Sequence, residues 1–458
     1  MPKTIQSNGE TRNPEVYSVE ELLDLLHKGV ENLDPVKISN TPPHIIASFL
    51  NRLSVDDCRA VLRKIPEIDA SAILAEMDIE VSAEIVAAMR EWRAIRILEK
   101  FDPDDAADLI NELDETDRIR LLSKLTPRTA KKVQSLLKYA PDTAGGVMTP
   151  NFVSVDVNMT VEQTIQEVRR MKDQITEVSY IYVVDAQRKL KGVLSMYELI
   201  LADPKDKVAD IMRTELKGVC SPQEDREKVA LTMGELNLYD LPVVDDEGRL
   251  LGIVEHDDVI DIIQDEATED FQKLVGAGAD ETIHDDLLFS VRRRSPWLLV
   301  NLLTAILGAT IISLFQEEIK HLTLLAVFMT TIASLAGNTG AQTLAVAIRS
   351  MAIGDIETFD NLRICIKEGV KGILNGVLIG IVASLAVFAL TKELKMASVV
   401  FLAMILNMGL GGLAGAFIPL ILKRFGFDPA QSSSIFLTGL TDICGFLIFL
   451  SLGTWFLL

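Results

Sequence analysis

A single carboxylate, Asp442, lies inside an otherwise apolar stretch near the end of the chain. It lies about 12 Å into that stretch if the segment is a helix that rises about 1.5 Å per residue. A charged side chain at such depth in a membrane costs about 2.5–3.5 kcal/mol on insertion scales, so it is expected to face water, a cation or another subunit. The alternative is a protonated Asp442 that hydrogen-bonds to a neighbouring helix.

A second polar run, Gly337–Gln342, interrupts another apolar stretch. Its glycines predict a broken or kinked helix with freed backbone carbonyls, which are tolerated only against protein or a wet cavity. Asn338 and Gln342 add amide oxygens. Carbonyl, amide and carboxylate oxygens are hard ligands, and such ligands suit a hard cation rather than an anion or a soft metal. The sequence contains no nucleophile–base pair, Walker loop or zinc motif, so an enzyme is the least expected class.

Two acidic clusters lie outside the apolar stretches. Asp104, Asp105 and Asp108 fall on one turn of a predicted helix. A second group extends from Asp257 to Asp270 and continues into a predicted helix of about Asp261–Val275. One interpretation is helix capping with a solvated face. However, like charges three or four residues apart destabilise an isolated helix, and two such surfaces are more simply explained if divalent cations bridge them.

Charge and hydropathy divide the 458 residues into two halves. Residues 1–290 carry a net charge of −24, whereas residues 291–458 carry +3 and are strongly apolar. Nucleic-acid binding is disfavoured because it needs clustered Lys and Arg. The four cysteines are scattered, which supports neither a disulfide framework nor a structural zinc site. The first residues lack the apolar core of a signal peptide, so the acidic half is expected in the cytosol.

The apolar half contains five stretches of roughly the length that crosses about 30 Å of hydrocarbon. Nine Lys and Arg residues fall on the cytosolic side if the N-terminus is inside, against three on the other side. This bias predicts a multi-pass protein of the cytoplasmic membrane with its N-terminus inside and its C-terminus outside. The predicted spans are Pro296–Phe315, Leu322–Ile348, Gly369–Leu390, Ala397–Leu422 and Ser434–Leu458.

The acidic half contains two kinds of repeat. Tyr182–Asp185 and Gly192–Leu194 recur about sixty residues later as Pro242–Asp245 and Gly252–Val254. Each copy reads as a strand, a polar turn, a second strand and an amphipathic helix. The pair resembles tandem CBS domains, which often bind an adenosine nucleotide or sense ions. Ahead of it, short amphipathic helices over residues ~18–138 predict a superhelical stack of helical hairpins.

The whole chain resembles the MgtE family of magnesium channels. The resemblance rests on the run Tyr139–Pro150, the tandem repeats, Gly337–Gln342, the Glu266–Asp270 stretch and the Thr438-x-x-x-Asp442 motif. It implies a homodimeric Mg²⁺-selective channel with its pore on the twofold axis. There Asp442 holds the hydrated ion, and cytosolic Mg²⁺ closes the gate. The sequence departs from the family at Ser434, where an amide is sometimes seen, and before Gly337, where a proline is common.

The resemblance also implies metal-binding positions. Asn338 is expected beside Asp442 at the pore, while Asp104, Asp105 and Asp108 belong to the acidic helical domain. The other sensor positions are Asp225, Glu227, Asp258, Asp261, Glu266, Glu269, Asp270 and Asp428. Whether ATP binds the CBS pair stays open.

The predicted fold is multidomain. An all-α superhelical domain (1–138) is followed by an α/β tandem CBS pair (139–205 and 206–265), a connecting helix (266–290) and an all-α membrane domain of five helices (291–458). Two other functions stay open. One is a secondary transporter that exchanges a divalent cation for H⁺ or Na⁺, and the other is a membrane receptor whose spans only anchor a CBS sensor.

Overall fold

The computed structural model describes residues 16–28, 33–172, 178–278, 281, 287–352, 361–431 and 433–457. It forms two compact units, Met1–Ile263 and Gln264–Leu458. The first unit holds short helices and two small sheets, and the second holds the long apolar helices. This confirms the fold class, with an all-α part, an α/β part and an all-α membrane part in that order.

The first unit begins with ten short helices in its described residues. Local sequence sets their bounds: Ser54, Asp114 and Thr126 each accept a backbone hydrogen bond at a helix start, and proline opens several helices. The helices are α1 (Val19–Lys28), α2 (Pro35–Asn40), α3 (Pro43–Leu50), α4 (Val55–Leu62), α5 (Glu67–Ala75), α6 (Ile79–Ala88), α7 (Glu91–Leu98), α8 (Pro103–Glu112), α9 (Glu115–Leu122) and α10 (Pro127–Leu136). Helices two apart in sequence pack together, as the predicted stack of hairpins requires.

The CBS repeats form two sheets with matching local geometry. Strands β2 and β3 pair antiparallel with Tyr182 opposite Val193, and β4 and β5 pair with Pro242 opposite Ile253. Arg188 and Gly248 occupy equivalent turn positions, both with positive φ. The elements are α11 (Ala144–Val147), β1 (Ser154–Asp156), α12 (Val161–Arg170), β2 (Tyr180–Val184), β3 (Leu190–Ser195), α13 (Met196–Leu201), α14 (Val208–Ile211), α15 (Arg226–Leu236), β4 (Asp240–Val244) and β5 (Leu250–Glu255).

Helix α16 (His256–Leu274) follows β5 without a loop and crosses the boundary between the two units. The sequence predicts this helix from Asp261 to Val275, so its start lies five residues earlier than expected. The predicted and observed ends differ by one residue. As a result Asp258, Glu266, Glu269 and Asp270 all lie on one continuous helix.

Among the described residues, five helices of the second unit are long and apolar enough to cross a membrane, which agrees with the predicted number of spans. The first four of these helices are longer than the predicted spans at one or both ends. The last helix matches its predicted span to within one residue at each end. The helices are α17 (Leu287–Leu314), α19 (Leu324–Ala352), α20 (Asn361–Thr391), α21 (Leu394–Arg424) and α22 (Ser433–Leu457), with the short α18 (Gln316–His321) between the first two.

Glycines set the closest contacts among these helices. A Cβ at Gly376 would lie 2.7 Å from the Cα of Ile405, so α20 and α21 touch through their backbones. A Cβ at Gly340 would lie 3.1 Å from the carbonyl oxygen of Gly411, which places α19 equally close to α21.

The sequence predicts a broken or kinked helix at Gly337–Gln342, and the prediction of a break is wrong. Helix α19 passes through this run without interruption, and the Thr339 hydroxyl donates to the carbonyl of Leu335 at 2.9 Å. Gly340 is stable inside the helix because Leu437 and Gly411 of neighbouring helices fill the space that a side chain would occupy, whereas a Cβ at Gly337 would have its nearest neighbour at 3.6 Å. The role of Gly340 is close packing, and the backbone carbonyls of this run are not set free by a helix break.

Candidate divalent-cation sites

Three carboxylates meet in the first unit, where α8, β5 and α16 come together. Asp104 lies in the first turn of α8, Glu255 ends β5, and Asp258 lies in the first turn of α16. Each offers an oxygen within 4.8 Å of the others, and all three side chains are half-buried. We call Asp104, Glu255 and Asp258 the acidic cluster. In the described part of the chain, no other group of three potential ligands is this compact.

The hydrogen bonds around the acidic cluster leave acceptor capacity unused. The Thr149 hydroxyl donates to Asp104 Oδ1 at 3.2 Å, which ties the helical stack to the CBS pair. Asp258 Oδ2 is buried and has no hydrogen-bond partner among the described residues. A buried acceptor without a donor is costly, and a cation is one way to satisfy it.

The charges of the acidic cluster oppose one another. Burial, followed by repulsion from Asp104, raises the pKa of Asp258 to about 9. The same two causes raise the pKa of Glu255 to about 8, while burial raises that of Asp104 to about 6. Without a cation, protons therefore neutralise part of the cluster near pH 7. Oxygen ligands at this spacing, with negative charge to be balanced, suit a small divalent cation such as Mg²⁺.

Asp105 and Asp108 extend this acidic surface along α8. Burial and the charge of Asp104 raise the pKa of Asp105 to about 8 and that of Asp108 to about 7. Arg226, at the start of α15, acts in the opposite direction on Asp108. Asp105 and Asp108 therefore add to the negative electrostatic potential at the acidic cluster, although they are not among its three members.

Three other sequence-predicted positions in the first unit are exposed. Asp225 caps α15 and accepts the Glu227 amide at 2.8 Å, and the Glu227 side chain is also exposed. Asp261 lies on the exposed face of α16. The structure places none of the three in the acidic cluster.

A second acidic group lies within the other unit, at the C-terminal end of α16. Lys273 Nζ donates to Asp428 Oδ2 at 2.8 Å and also contacts Glu269. Burial, followed by the charge of Asp428, raises the pKa of Asp270 to about 6. Glu266 adds to the negative charge around Asp270. Two of the predicted ligands, Glu269 and Asp428, therefore contact one ammonium group, whose charge also lowers the pKa of Asp270.

In the membrane helices, α19 contacts α22 beside the predicted pore residues. A Cβ at Gly337 would lie 3.6 Å from the Thr441 hydroxyl. Asn338 follows Gly337 on α19, and Asp442 follows Thr441 on α22. Both residues therefore lie next to the contact between these two helices. Within one chain Asp442 is half-buried and Asn338 is exposed.

Sequence reasoning missed three polar residues of these regions. Glu255 reads as the end of an apolar strand, and Lys273 reads as one charge among many on α16. Asn407, in the middle of α21, is wholly buried. Its amide donates to Ala403 O at 2.9 Å, and its Oδ1 has no partner among the described residues. Asn407 could have been identified from the sequence, because it is a polar amide inside the predicted span Ala397–Leu422.

Comparison with known proteins covers most of the chain. Residues 329–452 match the model of a divalent cation transporter family, MgtE, residues 41–142 match the MgtE intracellular N domain, and residues 144–205 and 208–265 match CBS domains. The magnesium transporter MgtE of Thermus thermophilus is 37% identical over 330 residues, which cover 71% of this chain and 72% of that protein. The magnesium transporter MgtE of Enterococcus faecalis is 34% identical over 328 residues, 72% of each chain.

A solved structure is also similar. It is described as the cytosolic domain of the Mg²⁺ channel MgtE in complex with ATP, and it is 36% identical to this chain with a TM-score of 0.48. The match covers 54% of this chain and 100% of that one.

Proposed function

Because the chain belongs to the MgtE family of magnesium transporters, multi-pass membrane proteins whose activity is transport and not catalysis, we propose that it is a Mg²⁺-selective channel. It mediates magnesium uptake and closes when cytosolic Mg²⁺ binds acidic sites on its helical and CBS domains. The observation that carries the gating proposal is the acidic cluster, in which Asp104 and Asp258 approach each other from two domains.

Mg²⁺ in the acidic cluster would favour one arrangement of the helical stack and the CBS pair. Without it, the repulsion between the carboxylates is relieved either by protonation of Asp258 and Glu255 or by separation of α8 from α16. A gate that changes from 1:99 to 99:1 needs about 5.5 kcal/mol of differential binding. Several sites together supply that amount. The proposed additional ligands are Asp105, Asp108, Asp225, Glu227 and Asp261 in the first unit, and Glu266, Glu269, Asp270 and Asp428 in the second.

The ion path is proposed to lie between two copies of the chain. Asp442 holds the hydrated ion and Asn338 contributes an amide oxygen. Within one chain Asn338 is exposed and Asp442 is half-buried, which supports this path, because a charged or polar side chain in a membrane needs a wet or protein-lined environment. A twofold axis beside α19 and α22 would bring both pairs together. The distribution of Lys and Arg supports a cytoplasmic N-terminus and an outside C-terminus.

The cleft of the CBS pair is the proposed ATP site. Its lining includes Tyr182, Arg213 and Asp240. The Tyr182 hydroxyl is buried and has no partner among the described residues, so it can accept or donate a hydrogen bond to a ligand. We also propose domain boundaries at 138/139, 205/206, 265/266 and 290/291.

The decisive experiment is a patch recording from membranes that contain the chain, with cytosolic Mg²⁺ varied. We expect Mg²⁺ currents that disappear as cytosolic Mg²⁺ reaches the millimolar range. An exchanger would give uptake without single-channel currents, and a receptor would give neither. In the Asp258→Asn variant, closure should need more Mg²⁺. Glu115→Gln, which removes an exposed charge on α9, is the matched control and should close as the unmodified chain does.

A further inference from the structure

A cavity of about 280 Å³ lies in the helical stack between α4 and the start of α7. It is lined by Asp56, Arg59, Ala60, Arg63, Met89, Arg90, Trp92 and Arg93. Four of these eight residues are arginines, in a half of the chain with a net charge of −24. The proposed transport function uses none of them.

Arg93 forms a fixed wall of the cavity. Its Nη2 donates to the carbonyls of Leu62 and Ile65 at 2.8 and 2.6 Å, and its Nη1 donates to Glu67 Oε1 at 2.8 Å. This guanidinium therefore caps the C-terminal end of α4 and joins it to α7. The cavity is held open by a bonded framework, so a ligand would meet a preformed site.

Arg59 retains donor capacity. Its Nη1 donates to Asp56 Oδ1 at 2.9 Å, but its Nε is buried and has no hydrogen-bond partner among the described residues. A buried N–H without an acceptor is costly, and an anionic oxygen in the cavity could supply that acceptor.

Arg63 and Arg90 lie at the ends of the two helices that border the cavity. Arg63 follows the last residue of α4, and Arg90 precedes the first residue of α7. Neither side chain forms an ion pair with any carboxylate in the described ranges. Guanidinium groups present paired donors that match the oxygens of a phosphate group.

Trp92 and Met89 add an apolar surface to the same cavity. The Trp92 side chain is 54% exposed although it is large and apolar. An exposed indole beside Arg63 and Arg90 offers a face on which a planar ring can stack. A site with both features can bind one end of a molecule by charge and the other by stacking.

We propose that this cavity binds a small phosphate ester that carries a planar ring, that is, a nucleoside monophosphate or a molecule of the same chemistry. Arg63 and Arg90 contact the phosphate, Arg59 Nε donates to it, and Trp92 stacks on the ring. The cavity volume suits one nucleotide, and its four arginines offset the negative charge of the surrounding domain locally.

The test uses the full chain in nanodiscs with Trp297→Phe and Trp455→Phe, so that Trp92 is the only tryptophan. AMP, GMP and UMP are titrated while Trp92 emission is recorded. We expect saturable quenching, because a stacked base alters the indole emission. Inorganic phosphate should compete with the nucleotide and produce little quenching by itself.

Substitutions of the lining arginines test whether the nucleotide binds in this cavity or elsewhere on the protein. Arg63→Gln with Arg90→Gln should weaken nucleotide binding at least tenfold. Arg120→Gln removes an arginine charge from α9, where it pairs with Asp117 outside the cavity, and should leave binding unchanged. Circular dichroism and the Tm of each variant show whether the helical stack still folds. An unchanged affinity in a folded double variant would overturn the proposal. So would a change in emission seen only with anionic-lipid nanodiscs or only with an acidic peptide.

Discussion

Lys273 Nζ lies 2.8 Å from Asp428 Oδ2, and the same ammonium group contacts Glu269. A lysine therefore occupies the space between two of the carboxylates that we propose as Mg²⁺ ligands. Burial lowers the pKa of Lys273, but its hydrogen bonds to Asp428 and Glu269 outweigh burial and raise it. The ammonium is thus charged at every physiological pH and competes with an incoming cation.

Replacing Lys273 with Gln should make closure more sensitive to Mg²⁺. Two unit charges 4 Å apart interact by about 4 kcal/mol at an effective dielectric of 20, and the partial exposure of this pair reduces the effect. We expect the Mg²⁺ concentration for half-closure in patch recordings to fall severalfold. Lys124→Gln, an exposed lysine of the helical stack, is the control. A half-closure concentration that stays the same or rises would show that Lys273 does not compete with Mg²⁺.

Binding of Mg²⁺ to the acidic cluster should release protons near pH 7. The pKa values of Asp258 and Glu255 are raised to about 9 and about 8, so both carry protons in the folded, Mg²⁺-free chain, and a bound cation displaces them. Isothermal titration calorimetry in two buffers of different ionisation enthalpy measures this release. The number of protons released per bound Mg²⁺ should decrease above pH 9, and the Asp258→Asn substitution should reduce this number at pH 7. Equal heats in both buffers at pH 7 would contradict the prediction.

The same pKa values set the sign of the stability change with pH. In the unfolded chain Asp258 titrates near 3.9, whereas in the folded chain it titrates at about 9. The folded state therefore binds more protons between these values. The free energy of unfolding should decrease as pH rises from 5 to 9 without Mg²⁺. Urea unfolding followed by circular dichroism measures the trend, and Mg²⁺ should reduce it. A stability that increases over this range would exclude the effect.

Replacing Asp442 with Asn should abolish selective divalent permeation while the protein still folds. The reason is that the variant keeps the shape of the side chain and removes the charge that we propose to hold the hydrated ion. Uptake of Mg²⁺ by cells and single-channel currents measure the effect. Cys444→Ala, two residues further along α22, is the control. Normal uptake by a well-expressed Asp442→Asn protein would exclude the pore assignment.

Gly340 and Gly337 provide a matched pair on α19. A Cβ at Gly340 would lie 2.8 Å from Leu437 Cδ1 and 3.1 Å from Gly411 O, whereas one at Gly337 has its nearest neighbour at 3.6 Å. Gly340→Ala should therefore destabilise the membrane helices by about 1–3 kcal/mol, as overpacking does. Gly337→Ala should have little effect. The Tm of each purified variant in detergent measures the change in stability. Equal Tm values for Gly340→Ala and Gly337→Ala would contradict the packing argument.

Several features of the fold could be read from local sequence. Helix starts at Ser54, Asp114 and Thr126 follow from capping side chains, and the CBS repeats follow from their period-two strands. The five spans follow from length and hydropathy. The continuity of α19 through Gly337–Gln342 could not be predicted from the sequence, because it depends on packing against neighbouring helices. The sequence also placed Asp104 and Asp258 in separate clusters. Their meeting with Glu255 depends on tertiary packing between distant segments, as does the contact between Lys273 and Asp428.

The packing of the short helices has a consequence for biosynthesis. In α3 to α10 each helix packs mainly on the one two places along the chain, so the main helix contacts join neighbouring hairpins rather than distant parts of the chain. Contacts of this kind form rapidly, and a chain emerges from the ribosome N-terminus first. The helical stack can therefore finish folding while α17 and the later spans are still being synthesised. Its exposed carboxylates would then keep the nascent chain soluble until the membrane segments appear.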